Sequence, residues 1–291
     1  MDNGLLVSYE AALLERAKAL GIHSLQLRVG PGFPISTEDP ELREAREAAA
    51  RLRAEGFSVP MLGFYRNHLA PDPELRELEA RRLTNVLRMA PHFGARAVGV
   101  FAGRDPELPL EENYPLAQEV WTPLARAAEE AGVQIAFENC TMYRTYPVRG
   151  INIAYCPAAC ERLLELVPSP ALGLEFDPSH CAKQMIDPLR FLRAFAGRIV
   201  HFHVKDHERD AEALQRYGCF DVRTSRDRVP GFGEVDFAPL FGELMRQGYT
   251  GPLTIEVPDD PEFVTEEQIR GALAESLRHL ADAMARAKSS G

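Results

Sequence analysis

Two histidines and a lysine interrupt an otherwise apolar stretch at residues 198–206. The apolar residues there are β-branched or aromatic, which predicts a buried strand. Because side chains alternate along a strand, His201, His203 and Lys205 share one face. Polar groups are costly to bury without partners. These side chains therefore either form a site or are satisfied within the core, and this stretch alone does not decide between the two.

Acidic side chains end three other predicted strands. Glu138 ends the strand at 133–138, Asp177 the strand at 172–177, and Glu256 follows Leu-Thr-Ile in the last strand. Any one of them could be an exposed loop residue or a salt-bridge partner. If all converge with His203, however, the carboxylates would repel each other unless a cation lies among them. Carboxylate oxygens with one imidazole suit Mn²⁺ or Mg²⁺, with Co²⁺ and Zn²⁺ as alternatives.

Short apolar strands alternate with helical segments along the chain, and a glycine follows most of the helices. This pattern predicts a parallel sheet. Seven strands are clear, at 24–29, 59–65, 97–101, 133–138, 172–177, 198–206 and 253–257. Only residues 5–7 remain for a first strand, which we expect to be short or to lack its beginning. Length and repeat favour an α/β (β/α)8 TIM barrel forming a single domain over residues 1–291. A doubly wound open sheet is the alternative, but it lacks the expected glycine-rich turn.

Composition narrows the classes of partner. The formal net charge of −10 argues against a nucleic-acid or anionic-membrane surface, although a local basic pocket could still take a small anion. Five cysteines, an odd number without zinc-ribbon spacing, favour a reduced, cytoplasmic protein. The first residues show no signal-peptide pattern, and no apolar stretch approaches the length of a membrane span.

Five segments occur in an order typical of one family. They read IAFENC at 135–140, GLEFDPSH at 173–180, HFHVKD at 201–206, RVPGFGEVDF at 228–237 and GYTGPLTIE at 248–256. The chain resembles the sugar phosphate isomerase/epimerase family, which has the xylose isomerase-like TIM barrel. The resemblance is specific for the superfamily but weak for the reaction, because members include epimerases, isomerases, dehydratases and relatives of a DNA repair nuclease.

The resemblance implies that one divalent metal ion is bound by Glu138, Asp177, His203 and Glu256. It also implies that Glu138 and Glu256 exchange protons with the substrate. Moving a hydrogen next to a carbonyl passes through an enediolate, whose charge a chelated divalent ion stabilises. Two carboxylates on opposite faces of the carbon would epimerise it, whereas one carboxylate shuttling between neighbouring carbons would isomerise the sugar.

Other residues are expected to contact the substrate. The resemblance places His180 against a substrate oxygen. Lys205 faces the same way as His203, and it would hold a hydroxyl or an anionic group, or form a salt bridge with a barrel acid. Arg228, on the loop after strand seven, is expected to close over the substrate. Weaker candidates at other strand ends are Arg66, Asn67, His68 and Arg104. His201 is expected to be structural, because the ligand in similar sequences is the second histidine of the pair.

The segment at 207–230 is long for a βα loop and rich in charge. Loops of this length are usually functional lids or disordered. Tyr217, Cys219 and Phe220 give it an apolar centre, so we expect a lid that packs over the pocket.

The first hypothesis is a metal-dependent isomerase or epimerase of a sugar, a sugar phosphate or a related polyol, with Mn²⁺ as the expected ion. The alternative is a lyase that dehydrates a keto-inositol or a similar cyclic polyol. An abasic-site endonuclease ranks far below, because it needs more histidines and the chain is acidic. A non-catalytic binding protein is disfavoured because all four candidate ligands are present. The expected partners are a small-molecule substrate, with no nucleic acid and no membrane, and a second copy of the chain, since dimers and tetramers are common in the family.

Overall fold

The computed structural model describes residues 1–142, 150–259 and 261–289. The strands in these residues are β1 Asn3–Ser8, β2 Ser24–Arg28, β3 Ser58–Phe64, β4 Ala97–Val100, β5 Gln134–Glu138, β6 Leu172–Phe176, β7 Ile199–Val204, β8 Asp206–Arg209, β9 Ser225–Arg228 and β10 Leu253–Ile255. The α-helices are α1 Ala11–Ala19, α2 Arg43–Ala54, α3 Pro73–Phe93, α4 Leu110–Ala131, α5 Pro157–Leu166, α6 Pro178–Lys183, α7 Pro188–Ala194, α8 Ala211–Tyr217, α9 Phe237–Arg246 and α10 Glu266–Ser289.

Eight parallel strands close into a barrel in the order β1-β10-β7-β6-β5-β4-β3-β2. This confirms the predicted TIM barrel. The expectation of a short first strand is wrong: β1 has six residues and pairs with both β10 and β2. Its apolar run is only Leu5 to Val7. The flanking residues Asn3, Gly4 and Ser8 join the strand because the neighbouring strands on both sides supply backbone hydrogen-bond partners.

Helix ends follow the sequence signals. The Asp72 side chain accepts a hydrogen bond from the backbone N–H of Glu74 and so caps α3. Gly94 and Gly132 end α3 and α4 in the left-handed conformation, with φ of 77° and 67°. Only glycine adopts this conformation at little cost. These stops return the chain to the next strand after each helix.

Most of the core lies between the barrel and its helices. Trp121 of α4 packs edge-to-face on Phe137 of β5, with ring centroids 4.7 Å apart. A smaller apolar cluster of Met61, Ala97 and Ala136 is separate from it. No helix of the described residues is long and apolar enough to span a membrane. The five cysteines lie in the described residues and form no disulfide there.

The long segment after β7 is an antiparallel ribbon rather than an irregular loop. β8 pairs with β9, and α8 lies between them. The buried carboxylate of Asp206 anchors its base by accepting hydrogen bonds from the backbone N–H groups of three residues, Gly231, Gly233 and Val235. The segment lies beside the central cavity. Tyr217, Cys219 and Phe220 of its predicted apolar centre are exposed, and Cys219 and Phe220 line a second cavity together with Lys205 and Glu256.

Candidate metal centre

Three carboxylates and one imidazole meet at the carboxyl ends of four neighbouring barrel strands. Glu138 ends β5, Asp177 directly follows β6, His203 lies in β7 and Glu256 directly follows β10. One ligand atom of each lies within 4.8 Å of the others. The structure therefore brings together the four residues that the sequence predicts as metal ligands.

The Nδ1 atom of His203 faces all three carboxylates. It lies 3.3 Å from Glu138 Oε1, 3.5 Å from Glu256 Oε2 and 3.9 Å from Asp177 Oδ2. Burial by itself raises the pKa of Glu138, but hydrogen bonds with His180 and His203 outweigh it and hold that pKa well below the ordinary range. Glu138 is therefore ionised near neutral pH, as a metal ligand or a base must be.

The two oxygens of Asp177 have different surroundings. Oδ1 accepts hydrogen bonds from the backbone N–H and the hydroxyl of Ser179, and it caps α6. Oδ2 is buried and has no hydrogen-bond partner of good geometry among the described residues, although Lys205 Nζ lies 2.8 Å away. A buried carboxylate oxygen left open beside two other acids and an imidazole fits a hard or borderline divalent cation. The residues present could thus hold Mn²⁺ or Mg²⁺, and Co²⁺ or Zn²⁺ also suits this donor set.

Lys205 and His180 form a second pair beside the ligands. Lys205 Nζ lies 2.8 Å from Glu256 Oε2 and 3.1 Å from His180 Nε2. Burial lowers the pKa of Lys205, but the carboxylates of Asp177, Glu256 and Glu138 outweigh it and raise that pKa well above its ordinary value. The ammonium therefore lies between the Glu256 carboxylate and a ring nitrogen of His180, within hydrogen-bond distance of both.

A hydrogen-bonded group lies on the other side of His203, and sequence reasoning missed it. His203 Nε2 is 2.7 Å from Glu175 Oε1 and 2.7 Å from Gln26 Oε1. The Tyr65 hydroxyl donates to Glu175 Oε2 over 2.9 Å. The signal was present, because Gln26 and Glu175 are polar residues inside otherwise apolar strands.

An open cavity of about 440 Å³ gives access to the ligands. Glu138, His180, His203, Lys205 and Glu256 line it. Further lining residues that the sequence did not single out include Arg28, Tyr65 and Asp227. Burial raises the pKa of Asp227, but a hydrogen bond with His207 and the charge of Lys205 outweigh it and keep that pKa far below its ordinary value. The ribbon thus contributes an ionised acid to the cavity wall.

Arg66 also lines the cavity, and its guanidinium is hydrogen-bonded to the carboxylate of Glu79. Its Nε and Nη2 atoms lie 3.1 and 3.0 Å from Glu79 Oε1, a carboxylate that is almost fully buried. Asn67 does not point the same way. Its amide hydrogen-bonds the backbone of Arg104 and Leu69, so it stabilises a turn.

Three predicted substrate-binding residues are not brought to the cavity. His68 is buried between the rings of Phe64 and Trp121, with centroid distances of 5.7 and 5.0 Å. Arg104 directs a guanidinium nitrogen to the Leu108 carbonyl, 3.5 Å away. These two expectations were based on position after a strand, which does not fix the direction of the side chain.

Arg228 is the third. Its Nη2 lies 2.9 Å from Glu262 Oε2, and its Nε donates to the Phe232 carbonyl over 3.2 Å. These contacts join the ribbon to the segment after β10, because Arg228 ends β9 next to Asp206. In this structure the arginine therefore holds the ribbon in place and does not line the cavity.

His201 is buried with its ring edge toward His203, 5.7 Å between centroids. Burial and the charge of His203 hold its pKa well below the ordinary value, so it is neutral. This agrees with the structural role expected for the first histidine of the pair.

The chain resembles known proteins over most of its length. A family model described as a xylose isomerase-like TIM barrel matches residues 14–285. An inosose dehydratase of Clostridium tetani is 27% identical over 161 residues, which are 53% of each protein. Another, from Geobacillus kaustophilus, is 35% identical over 105 residues, 35% of this chain and 34% of that one. The rhizopine catabolism protein MocC of Rhizobium meliloti is 31% identical over 64% of this chain and 55% of its own. The chain thus spans about half or less of the curated relatives that it matches.

Solved structures agree on the fold. An L-ribulose 3-epimerase superposes with a TM-score of 0.73 at 17% identity, covering 100% of this chain and 97% of its own. The IolI protein, solved with a bound zinc atom, superposes with a TM-score of 0.73 at 16% identity, covering 98% and 99%. At these identities the likeness concerns the fold alone. The family match and the closed barrel lead to one conclusion: the chain belongs to the xylose isomerase-like TIM-barrel family.

Proposed function

We propose that this protein is a divalent-metal-dependent dehydratase of a keto-inositol or a similar cyclic polyol. The observation that carries the proposal is a cavity lined by three of the four clustered candidate metal ligands, Glu138, His203 and Glu256, together with the Lys205–His180 pair. The curated relatives named inosose dehydratase support the lyase, which sequence analysis held as the alternative, over the isomerase or epimerase that it ranked first.

The substrate of such a reaction is an α-hydroxy ketone with a further hydroxyl on the β-carbon. When bound by Glu138, Asp177, His203 and Glu256, a divalent ion would supply a Lewis acid for the carbonyl and its neighbouring hydroxyl. Mn²⁺ is our first expectation, because three of the four ligands are carboxylates. Each carboxylate has two oxygens, so Glu138 or Glu256 can keep one for proton transfer.

The chain's own residues supply the acid and the base. Glu138 or Glu256 takes the proton from the carbon next to the carbonyl. The electron pair of that C–H bond becomes the new C=C bond as the bond to the β-hydroxyl breaks. The leaving oxygen takes a proton from Lys205 and departs as water, so that atoms and charge balance. General acid–base assistance of this kind contributes about 100- to 10,000-fold.

Dehydration is favoured over epimerisation by the donor beside the ligands. Epimerisation needs only two carboxylates, whereas elimination also needs an acid for the leaving hydroxide. His180 Nε2 lies 3.1 Å from Lys205 Nζ and 3.8 Å from Glu138 Oε1, so it stands between the acid and the base. His180 can therefore return the proton from Glu138 to Lys205 after each turnover.

Epimerisation or isomerisation is the second candidate. It is supported by the two carboxylates Glu138 and Glu256, which both line the cavity. Glu138 ends β5 and Glu256 follows β10, and these strands lie on opposite sides of β7, which carries His203. The small-molecule substrate is common to both proposals.

The two candidates predict different products from one assay. Purified protein with added Mn²⁺ is incubated with a keto-inositol and, separately, with ketoses such as fructose. A dehydratase converts the keto-inositol into a conjugated product that absorbs in the ultraviolet, and proton NMR shows one water lost. An epimerase gives no such absorbance and produces a ketose with one inverted carbon. Inactivity toward all of them, with the ion bound, would contradict both candidates.

A further inference from the structure

The group beneath the metal ligands determines which ring nitrogen of His203 faces them. His203 Nε2 lies 2.7 Å from two oxygens, Glu175 Oε1 and Gln26 Oε1. Both oxygens are hydrogen-bond acceptors, so Nε2 must carry a hydrogen. A metal ion takes the place of a proton on the imidazole that binds it, so the metal-bound ring has one N–H, at Nε2, and Nδ1 supplies the lone pair.

This assignment depends on the orientation of the Gln26 amide, which its neighbours fix. Gln26 Nε2 lies 2.6 Å from Glu175 Oε1 and 2.6 Å from the Tyr65 hydroxyl. Exchanging the amide oxygen and nitrogen would place an acceptor 2.6 Å from the Glu175 carboxylate and a donor against His203 Nε2–H. Both contacts would be repulsive, so the amide has only one acceptable orientation.

The barrel interior has room for the side chains of Gln26, Glu175 and His203. Gln26, Glu175 and His203 are fully buried, and they come from β2, β6 and β7. A Cβ at Gly99 in β4 would collide with Glu175 Oε2 and would lie 3.0 Å from the Tyr65 hydroxyl. A glycine at that position therefore leaves room for a carboxylate in the barrel interior.

A second metal at this position is not favoured. Glu175, His201 and His203 also offer one ligand atom each within 4.8 Å. Nε2 of His203, however, already has two oxygens at hydrogen-bond distance. The group is therefore better explained as the support of a ligand than as a second ligand set.

We propose that Glu175, held by Gln26 and Tyr65, is a positioning residue that fixes His203 with Nε2 protonated and Nδ1 directed at the metal. The inference rests on the metal site of the proposed function and extends it to residues outside the ligand set. A carboxylate that accepts from the second nitrogen orients the ring and makes the ligating nitrogen more basic. Losing such a partner costs roughly 10- to 100-fold in metal affinity.

The test measures Zn²⁺ affinity by competition with a chelator, without any substrate. We expect Glu175→Gln to weaken zinc binding by about 10- to 100-fold. The exchange variant Gln26→Glu/Glu175→Gln returns a carboxylate to Nε2 from the other strand, and we expect it to bind zinc more tightly than Glu175→Gln alone. Glu243→Gln is the matched control. Like Glu175, Glu243 is a mostly buried glutamate, but it lies on α9 and pairs with Arg193 and Arg246. Its affinity should equal that of the wild type.

Each outcome has a distinct meaning. A wild type that binds no zinc would overturn the metal site itself. A wild type that binds zinc while Glu175→Gln binds equally well, or an exchange variant no better than Glu175→Gln, would overturn the positioning role. Nitrogen-15 NMR of histidine-labelled, zinc-loaded wild type tests the same inference without substitution. We expect Nε2 of His203 to be protonated and Nδ1 to bind zinc; the reverse assignment would overturn the proposal even if the variants do not fold.

Discussion

The ammonium of Lys205 lies 2.8 Å from Glu256 Oε2, one of the oxygens that face the candidate metal position. Lys205 also lies 2.8 Å from Asp177 Oδ2, so the lysine and a divalent ion would share two carboxylates. The lysine therefore has two separable roles in this account. It balances the charge of buried acids, and it protonates the leaving oxygen.

We expect Lys205→Met to separate these roles. Without the ammonium, buried acids lose their partner, which typically costs about 3–5 kcal/mol of the free energy of unfolding in the metal-free protein. Metal affinity should be kept or increased, because a competing cation is gone. Turnover should fall by at least ~100-fold, since the leaving oxygen lacks its acid. Urea unfolding, metal titration and product formation measure the three quantities.

Lys18→Met is the control for that variant. Lys18 pairs with Glu15 and Glu55 on the outside of the barrel, and it should leave all three quantities close to the wild type. A Lys205→Met variant with normal turnover would show that the lysine is not the acid.

The metal assignment makes a prediction of its own. His203→Ala removes the imidazole at the centre of the ligand set, and we expect it to lose the ion while the barrel remains folded. Elemental analysis should find about one divalent ion per chain in the wild type and much less in the variant. The exposed His23 provides the control, His23→Ala, which should keep the ion. Full metal occupancy in His203→Ala would show that the ligands are elsewhere.

Much of the site could be predicted from the sequence because parallel strands bring their carboxyl ends to one edge. Glu138, Asp177, His203 and Glu256 needed only strand assignments and residue types. Glu175 and Gln26 are 149 residues apart, and their contact depends on the register and the inward direction of two strands. Nothing local to either residue specifies that partner. Asp227 arrives on a ribbon whose pairing the sequence did not reveal.

His68, in contrast, is predicted from the sequence to contact the substrate, but it does not line the cavity in the structure. A histidine just after a strand could point to the cavity or to the helical shell, and its neighbours in sequence do not distinguish the two. Here it turns into an aromatic cluster, and both ring nitrogens lack hydrogen-bond partners among the described residues. Burial, with a smaller contribution from Arg66, lowers the pKa of His68 to about 3.

This buried histidine should make stability depend on pH. Between about pH 6.5 and pH 3 the unfolded chain binds a proton that the folded state excludes, so stability falls as the pH falls. His68→Phe should remove up to about 1.4 kcal/mol of that loss per pH unit in this window. Above about pH 6.5 it should leave the slope of the free energy of unfolding against pH unchanged. Urea unfolding at a series of pH values measures the slope. An unchanged slope would contradict the assigned pKa, and the exposed-residue variant His23→Phe serves as the control.

The most direct test of the central claim follows the hydrogen next to the substrate carbonyl. A keto-inositol deuterated at the carbons beside the carbonyl is incubated with the metal-loaded protein, and the label is located by NMR and mass spectrometry. Because Glu138 or Glu256 removes this hydrogen as a proton, we predict that deuterium is released to water as the conjugated product forms. Glu138→Gln and Glu256→Gln should each slow the release by at least ~100-fold. Deuterium retained in the organic product, as a hydride shift would leave it, or normal release by both variants would contradict the account.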